Sequence, residues 1–194
     1  IPSVPSDPSR AFFDGIDKIL TQAGVRYADV AAVFHGSTVA TNAILEGKGA
    51  KTGMLVTNGF KYVLEIGRAE VPRKENLYAW VKPRRPIPPR YILEVPERAE
   101  LDGSITQELD DAACRAAAQR LRALGIEAVA VVFLHAYVNA SHERHALGIL
   151  AEELPGVELS ASSDVLPVFR EYERAMATAL NASVQPLVGR YIDR

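Results

Sequence analysis

A mostly parallel α/β sheet with helices on its faces is the fold this sequence predicts, and three observations predict it. Short, nearly continuous apolar runs recur at residues 29–34, 52–56, 128–134 and 157–160, the pattern of strands buried on both faces. Stretches with apolar residues at helical spacing separate most of them. That alternation, without any internal repeat, is the signature of parallel strands joined through helices.

Each element follows in chain order. Residues 1–7 are rich in Pro and Ser and read as extended. Ser6-Asp7-Pro8 is a helix start with proline near the first turn. Phe12, Ile16, Ile19 and Leu20 then form an apolar stripe, and Gly24 is the stop. The run 29–34 predicts a buried strand, which leads into His35-Gly36-Ser37-Thr38 and a helix from Val39 to Leu45 ending at Gly47. A second strand spans 52–56, followed by an Asn58-Gly59 turn and a short helix carrying Phe60, Val63, Leu64 and Ile66. Prolines at 72, 83, 86, 88 and 89 forbid regular helix or central strand between 71 and 90. Residues 91–95 and 97–101, with Asp102-Gly103 as the turn signal, predict extended strands and a hairpin. A helix over 110–124 with Gly125 as its cap, a strand 128–134, a helix 141–154, a strand 157–160 and a long helix from about Pro167 complete the chain. Three segments result: 1–70 as the start of the main lobe, 71–106 as a Pro-rich arm and hairpin insertion, and 107–194 as an α/β continuation ending in a long helix.

Composition narrows the function. The net charge of −2 over 194 residues excludes the basic footprint of a nucleic-acid binder. No apolar run reaches the length of a membrane span. The single cysteine, Cys114, has no partner for an intramolecular disulfide, which favours a reducing, cytoplasmic setting. Its helical spacing with Ala117, Ala118 and Leu121 marks it as a small buried residue rather than a nucleophile. The basic arm (Arg73, Lys74, Lys82, Arg84, Arg85, Arg90) carries Tyr78 and Trp80. It suits a surface docking on a partner subunit better than a grip on single-stranded nucleic acid.

Four segments carry candidate chemistry. His35-Gly36-Ser37-Thr38 leaves a predicted strand and enters a helix that bears Asn42. Ligands of open α/β sheets sit at such strand ends, and a helix start offers N–H groups to an anion. Ser37 or Thr38 as a plain helix cap is the competing reading. Arg68 ends the next predicted helix, where a guanidinium can clamp an oxyanion bidentately or simply complement the helix dipole. His142 and His145, with His135 upstream, share a helix face, but no cysteine pair or second carboxylate completes a metal site. Arg170, Glu173, Arg174 and Asn181 form a long polar face on an otherwise apolar helix, which suits an interior cleft between lobes.

The run from His35 to Thr52 resembles the A-type subunit of the hydantoinase/5-oxoprolinase family. So do Gly59-Phe60 with Leu64-Glu65-Ile66-Gly67-Arg68, and Glu171-Tyr172-Glu173-Arg174 with Asn181 and Gln185-Pro186. The resemblance covers nearly the whole chain. The family has threonine where this chain has Ser37, a hydroxyl for a hydroxyl, and hydroxyl residues are common where Ala175 and Met176 stand. The resemblance implies part of an actin/hexokinase-like (ribonuclease-H-like) lobe and ATP-driven activation of a cyclic amide, or of a ketone in the related carboxylases. It implies ATP and Mg²⁺ as cofactors, and the remainder of an A-type subunit and a B-type subunit as partners. Thr38 and Asn42 are then expected as hydrogen-bond donors, Arg68 as an anion clamp, and Arg174 with Glu173 as a lobe-bridging pair. His35, Gly36, Ser37, Arg170 and Asn181 are expected to line the same pocket. The family's glycine- and threonine-rich phosphate turn is not among these residues, so the expectation is a segment that binds ATP negligibly by itself. A non-catalytic scaffolding subunit of the same fold is the rival expectation.

Overall fold

A computed structural model describes residues 8–34, 36, 38–68, 76, 78–81, 83 and 85–192. Its centre is a four-stranded parallel sheet in the order β2-β1-β5-β6, with β1 at Thr52–Thr57, β2 at Ile92–Val95, β5 at Ala128–Val132 and β6 at Glu158–Ala161. All the residues of β1 and β5 are buried, as central strands covered on both faces must be.

Side-chain alternation sorts these strands into two cores. Leu55, Leu93, Val95, Val129 and Val131 face α4 (Asp111–Ala123) and α5 (Ser141–Glu153). Met54, Val56, Ile92, Ala130 and Val132 face the other way, toward α3 (Val63–Ile66) and α7 (Glu171–Ile192). Gly53 is dictated by this packing. A Cβ there would stand 2.6 Å from Leu121 Cδ2, so only glycine lets α4 lie this close to β1.

Local signals decide where the helices begin and end. Asp110 caps α4 by accepting from the Ala113 N–H at 2.9 Å, and Gly125 closes it at a positive φ of 65°. The helix α1 (Pro8–Ala23) stops at Gly24, also at positive φ. The hairpin β3–β4 (Arg98–Ala99 and Ile105–Gln107) turns through Asp102-Gly103. At the start of α5, Asn139 Oδ1 accepts from the Ser141 N–H at 3.1 Å, so Ser141 is the first helical residue rather than the cap.

One expectation is corrected. Residues 29–34 form no strand: Asp29 ends a 3₁₀ turn, its carboxylate accepting from Arg26 Nε and Nη2 at 2.9 and 2.8 Å. Beyond it the chain is irregular, with Phe34 96% exposed. The run is apolar enough for a strand, yet it finds no ladder among the described residues. The extended strand expected at 91–95 forms as β2, which joins the parallel sheet beside β1, in register from Met54↔Ile92 to Thr57↔Val95. Glu94, on the exposed side of β2, accepts from the Gly59 N–H at 2.8 Å and so fixes the turn that follows β1.

The long helix α7 organises the second face. A Cβ on Gly49 would lie 3.0 Å from Ser183, and the Ala50 N–H donates to the Ser183 carbonyl at 2.8 Å. The connection between α2 (Val39–Leu45) and β1 therefore lies directly on this helix. Near the other end of α7, Tyr172 packs beside Gly67. The two contacts are roughly 16 Å apart along the helix axis.

Candidate functional site

Two polar arrangements of opposite character draw on α7. The first is closed. Glu143, fully buried on α5, accepts from the Phe133 N–H at 2.9 Å, the Ser162 hydroxyl at 2.5 Å and the Ser163 N–H at 2.8 Å. Arg174, only 1% exposed, donates from Nη1 to Ser162 Oγ at 3.1 Å. Its guanidinium lies 5.7 Å from the Tyr137 ring centroid. Burial lowers the Arg174 pKa, while Glu143 and Glu171 act in the opposite direction. Ser162 thus couples a buried cation to a buried anion, which keeps each tolerable away from water.

Next to it, Thr57 at the end of β1 donates its hydroxyl to buried Glu97 and accepts from the Leu134 N–H at 2.7 Å. The other oxygen of Glu97 meets His142 Nδ1 at 2.8 Å. His142 Nε2 reaches Glu108 at 3.4 Å. His135 sits at a positive φ of 55°, and its Nδ1–H donates to the Ala99 carbonyl at 2.9 Å. His145 pairs instead with Asp111 at 3.3 Å. These histidines are spread over separate partners, and among the described residues no group of three or more His, Cys, Asp or Glu side chains is arranged to hold a metal ion. Among the described residues, therefore, no all-protein cage for a divalent cation is formed.

The second arrangement is open. Where α3 ends and α7 begins, a cleft of about 390 Å³ is lined by Gly67, Arg68, Phe169, Arg170, Glu171, Tyr172 and Glu173. Arg68 donates to Glu173 from Nε, and its Nη2 makes an ion pair with the same carboxylate. Partial burial pushes the Glu173 carboxyl up, but its own backbone N–H, Arg68 and Arg170 outweigh this and hold it below the usual carboxylate range. Gly67 takes φ +57°, ψ −140°, and a Cβ there would touch the Tyr172 ring at 3.4 Å with Arg85 Nη2 3.8 Å away.

The sequence-predicted residues fall into three groups. Arg68, Arg170 and Glu173 come together in the cleft. Arg174 and Asn181 do not: Arg174 turns inward to Ser162, and Asn181 donates to Ser160 Oγ at 3.0 Å. The expected Arg174–Glu173 pair is thereby split, since adjacent helical residues point about 100° apart and each finds a different partner. Thr38 and Asn42 bond to each other, Asn42 Nδ2 donating to Thr38 Oγ1 at 3.3 Å, on the exposed start of α2. Gly36 is exposed, and His35 and Ser37 lie outside the described residues. Sequence reasoning missed Glu97, Glu143 and Ser162, whose spacing gives no signal. It also passed over Arg85, read only as one charge in a basic arm.

This fold defines an α/β domain whose parallel sheet is covered by helices on both faces, and its open cleft brings Arg68 and Arg170 together with Glu171 and Glu173. Residues 1–154 match the family model described as the hydantoinase/oxoprolinase N-terminal region. The chain belongs to that family. It is 34% identical to the caprolactamase subunit alpha of Pseudomonas jessenii over 100% of this chain and 28% of the relative. It is 28% identical to the acetophenone carboxylase gamma subunit of Aromatoleum aromaticum, over 95% of this chain and 27% of that subunit. A solved structure of an ATP-dependent caprolactamase from Pseudomonas jessenii superposes with a TM-score of 0.87 at 33% identity, covering 100% of this chain and 29% of that one. The chain thus spans under a third of the length of these relatives.

Proposed function

We propose that this chain is a segment of an ATP-dependent cyclic-amide hydrolase that phosphorylates and opens a lactam or imide ring, working with the remainder of an A-type subunit and a B-type subunit in the cytoplasm. The observation that carries the reading is the cleft at Arg68, where a guanidinium is held by a carboxylate 105 residues away, in a chain that superposes on an ATP-dependent caprolactamase.

An unstrained amide resists water because its nitrogen is a poor leaving group and its carbonyl is weakly electrophilic. Transfer of a phosphoryl group to the amide oxygen activates the carbon and couples ring opening to ATP consumption. Such transfer depends on positioning and charge neutralisation more than on covalent chemistry from the protein. In this reading Arg68 neutralises developing negative charge, and Glu173 holds it in place beforehand. Arg170 adds a second cation, while Thr38 and Asn42 are hydrogen-bond donors at the start of α2. Arg174 and Asn181 serve by anchoring α7 to the strand ends. ATP and Mg²⁺ bind mainly outside these residues.

Likeness to the acetophenone carboxylase gamma subunit supports a second reading, a subunit of an ATP-dependent ketone carboxylase. One assay separates them. The complex assembled with its partner subunit is given hydantoin, 5-oxoproline, caprolactam or acetophenone with ATP, and ATP consumption is followed. Consumption dependent on a cyclic amide supports the hydrolase. Consumption requiring acetophenone and bicarbonate supports the carboxylase, and no substrate-dependent consumption leaves the scaffolding role.

A further inference from the structure

The charges around the cleft do not cancel. Glu173 is committed to Arg68, and Glu171 lends its field to buried Arg174. Two guanidiniums remain. Arg170 is exposed at the start of α7 and lines the cleft. Arg85 lies beside the cleft, with Nη2 near Gly67 and its buried Nε unbonded, while Glu171 is among the lining residues. Among the described residues neither forms an ion pair, whereas Arg68 does. The positive φ of Gly67 and its missing side chain keep the space between Arg85 and Tyr172 open.

We propose that this cleft binds a tetrahedral oxyanion, a phosphate or phosphoryl group, gripped by Arg170 and Arg68 with Arg85, beside Gly67, as the third guanidinium. The geometry favours this class over a carboxylate. One bidentate guanidinium satisfies both oxygens of a carboxylate, whereas three guanidiniums suit three terminal oxygens and more than one negative charge. The N–H groups of Glu171 and Tyr172 in the first turn of α7 lack intrahelical partners and carry the positive end of a 22-residue helix, which adds to the field. Glu173 acts as the resident counter-ion: it holds Arg68 while the cleft is empty and competes with the incoming anion for it.

This inference gives a ligand class to the cleft read above as part of an ATP-dependent enzyme, and its test is independent of turnover. The thermal midpoint of the protein is followed against inorganic phosphate, sulfate and acetate at constant ionic strength, for wild type, R85Q/R170Q and Glu173→Gln. Phosphate and sulfate are expected to raise the midpoint saturably and acetate to leave it unchanged. The double variant should bind phosphate at least 10-fold more weakly with an unchanged circular dichroism spectrum, and Glu173→Gln should bind it more tightly because Arg68 is released. If the double variant does not fold, Arg170→Gln alone carries the test, since that side chain is exposed. No saturable phosphate response in wild type, an equal response in the variants, or acetate as effective as phosphate would overturn the proposal. A competing arm with ATP assigns the source: displacement of phosphate places a nucleotide phosphate here, and co-binding places a free or substrate-borne one. Phosphate binding without ATP-driven turnover removes only the hydrolase reading, and turnover without phosphate binding removes only this site.

Discussion

The closed network around Glu143 and the open cleft around Arg68 are built from the same residue types and share the helix α7, yet their charges are paired differently. In the network, all three donors to the Glu143 carboxylate belong to the protein, and Arg174 is sealed beneath them. In the cleft, Arg68 has a carboxylate partner, whereas among the described residues Arg170 and the adjoining Arg85 form no ion pair. Buried charge that is satisfied internally stabilises one arrangement of helices and strands. Exposed charge left over is available to a ligand, at little cost to the fold.

The sharpest way to break that comparison is to empty the network. Glu143→Ala leaves Arg174 buried without its anion, so urea denaturation should show a loss of about 3–5 kcal/mol. A loss no larger than that of an exposed substitution would show that water reaches the network. The interior has a second signature at alkaline pH. Burial first, and then the Asp111 charge, push the Cys114 thiol from 9.0 up to about 11. Because the folded value is the raised one, the protein keeps its full stability below pH 9 and loses it as pH rises toward 11, by about 2–3 kcal/mol. Stability measured across that range should fall in wild type and fall less in Cys114→Ala.

Breaking the neighbouring chain is milder. His142→Ala removes one partner of buried Glu97 but leaves the Thr57 hydroxyl in place, so the expected loss is about 1–3 kcal/mol by the same denaturation.

How far this contrast was legible in the sequence differs between the two regions. The parallel sheet was, because β1 and β5 are continuous apolar runs and the helices between strands are periodic. Residues 29–34 misled for the same reason: apolarity says that a run seeks cover, not which surface supplies it. The cleft was half legible. Arg68 and Glu173 each stand in a recognisable local motif, but only folding brings α3 onto the start of α7. Arg85 was hidden in a proline-rich arm, where five neighbouring basic residues made it look like one more surface charge. Glu143 was hidden by its ordinary place in the first turn of a helix, since nothing local distinguishes a buried first-turn glutamate from an exposed one.

The cleft should yield the opposite balance of effects. Glu173→Gln, with its partner Arg68 half-exposed, should change stability by no more than about 1 kcal/mol in denaturation. The sign of its pH dependence follows from the depressed carboxyl of Glu173. The pair contributes fully above the ordinary glutamate range and is lost as pH falls through the depressed value, so wild type and Glu173→Gln should differ at neutral pH and converge in acid. Asn42→Ala, on an exposed helix start, should leave the unfolding midpoint unchanged and alter only catalysis.

The account is tested most directly by the turnover of Arg68→Gln in the assembled enzyme, on whichever substrate drives ATP consumption. A fall of about 10²-fold or more is predicted if this guanidinium meets developing charge. Turnover equal to that of wild type would contradict it and return the cleft to an ordinary solvated surface.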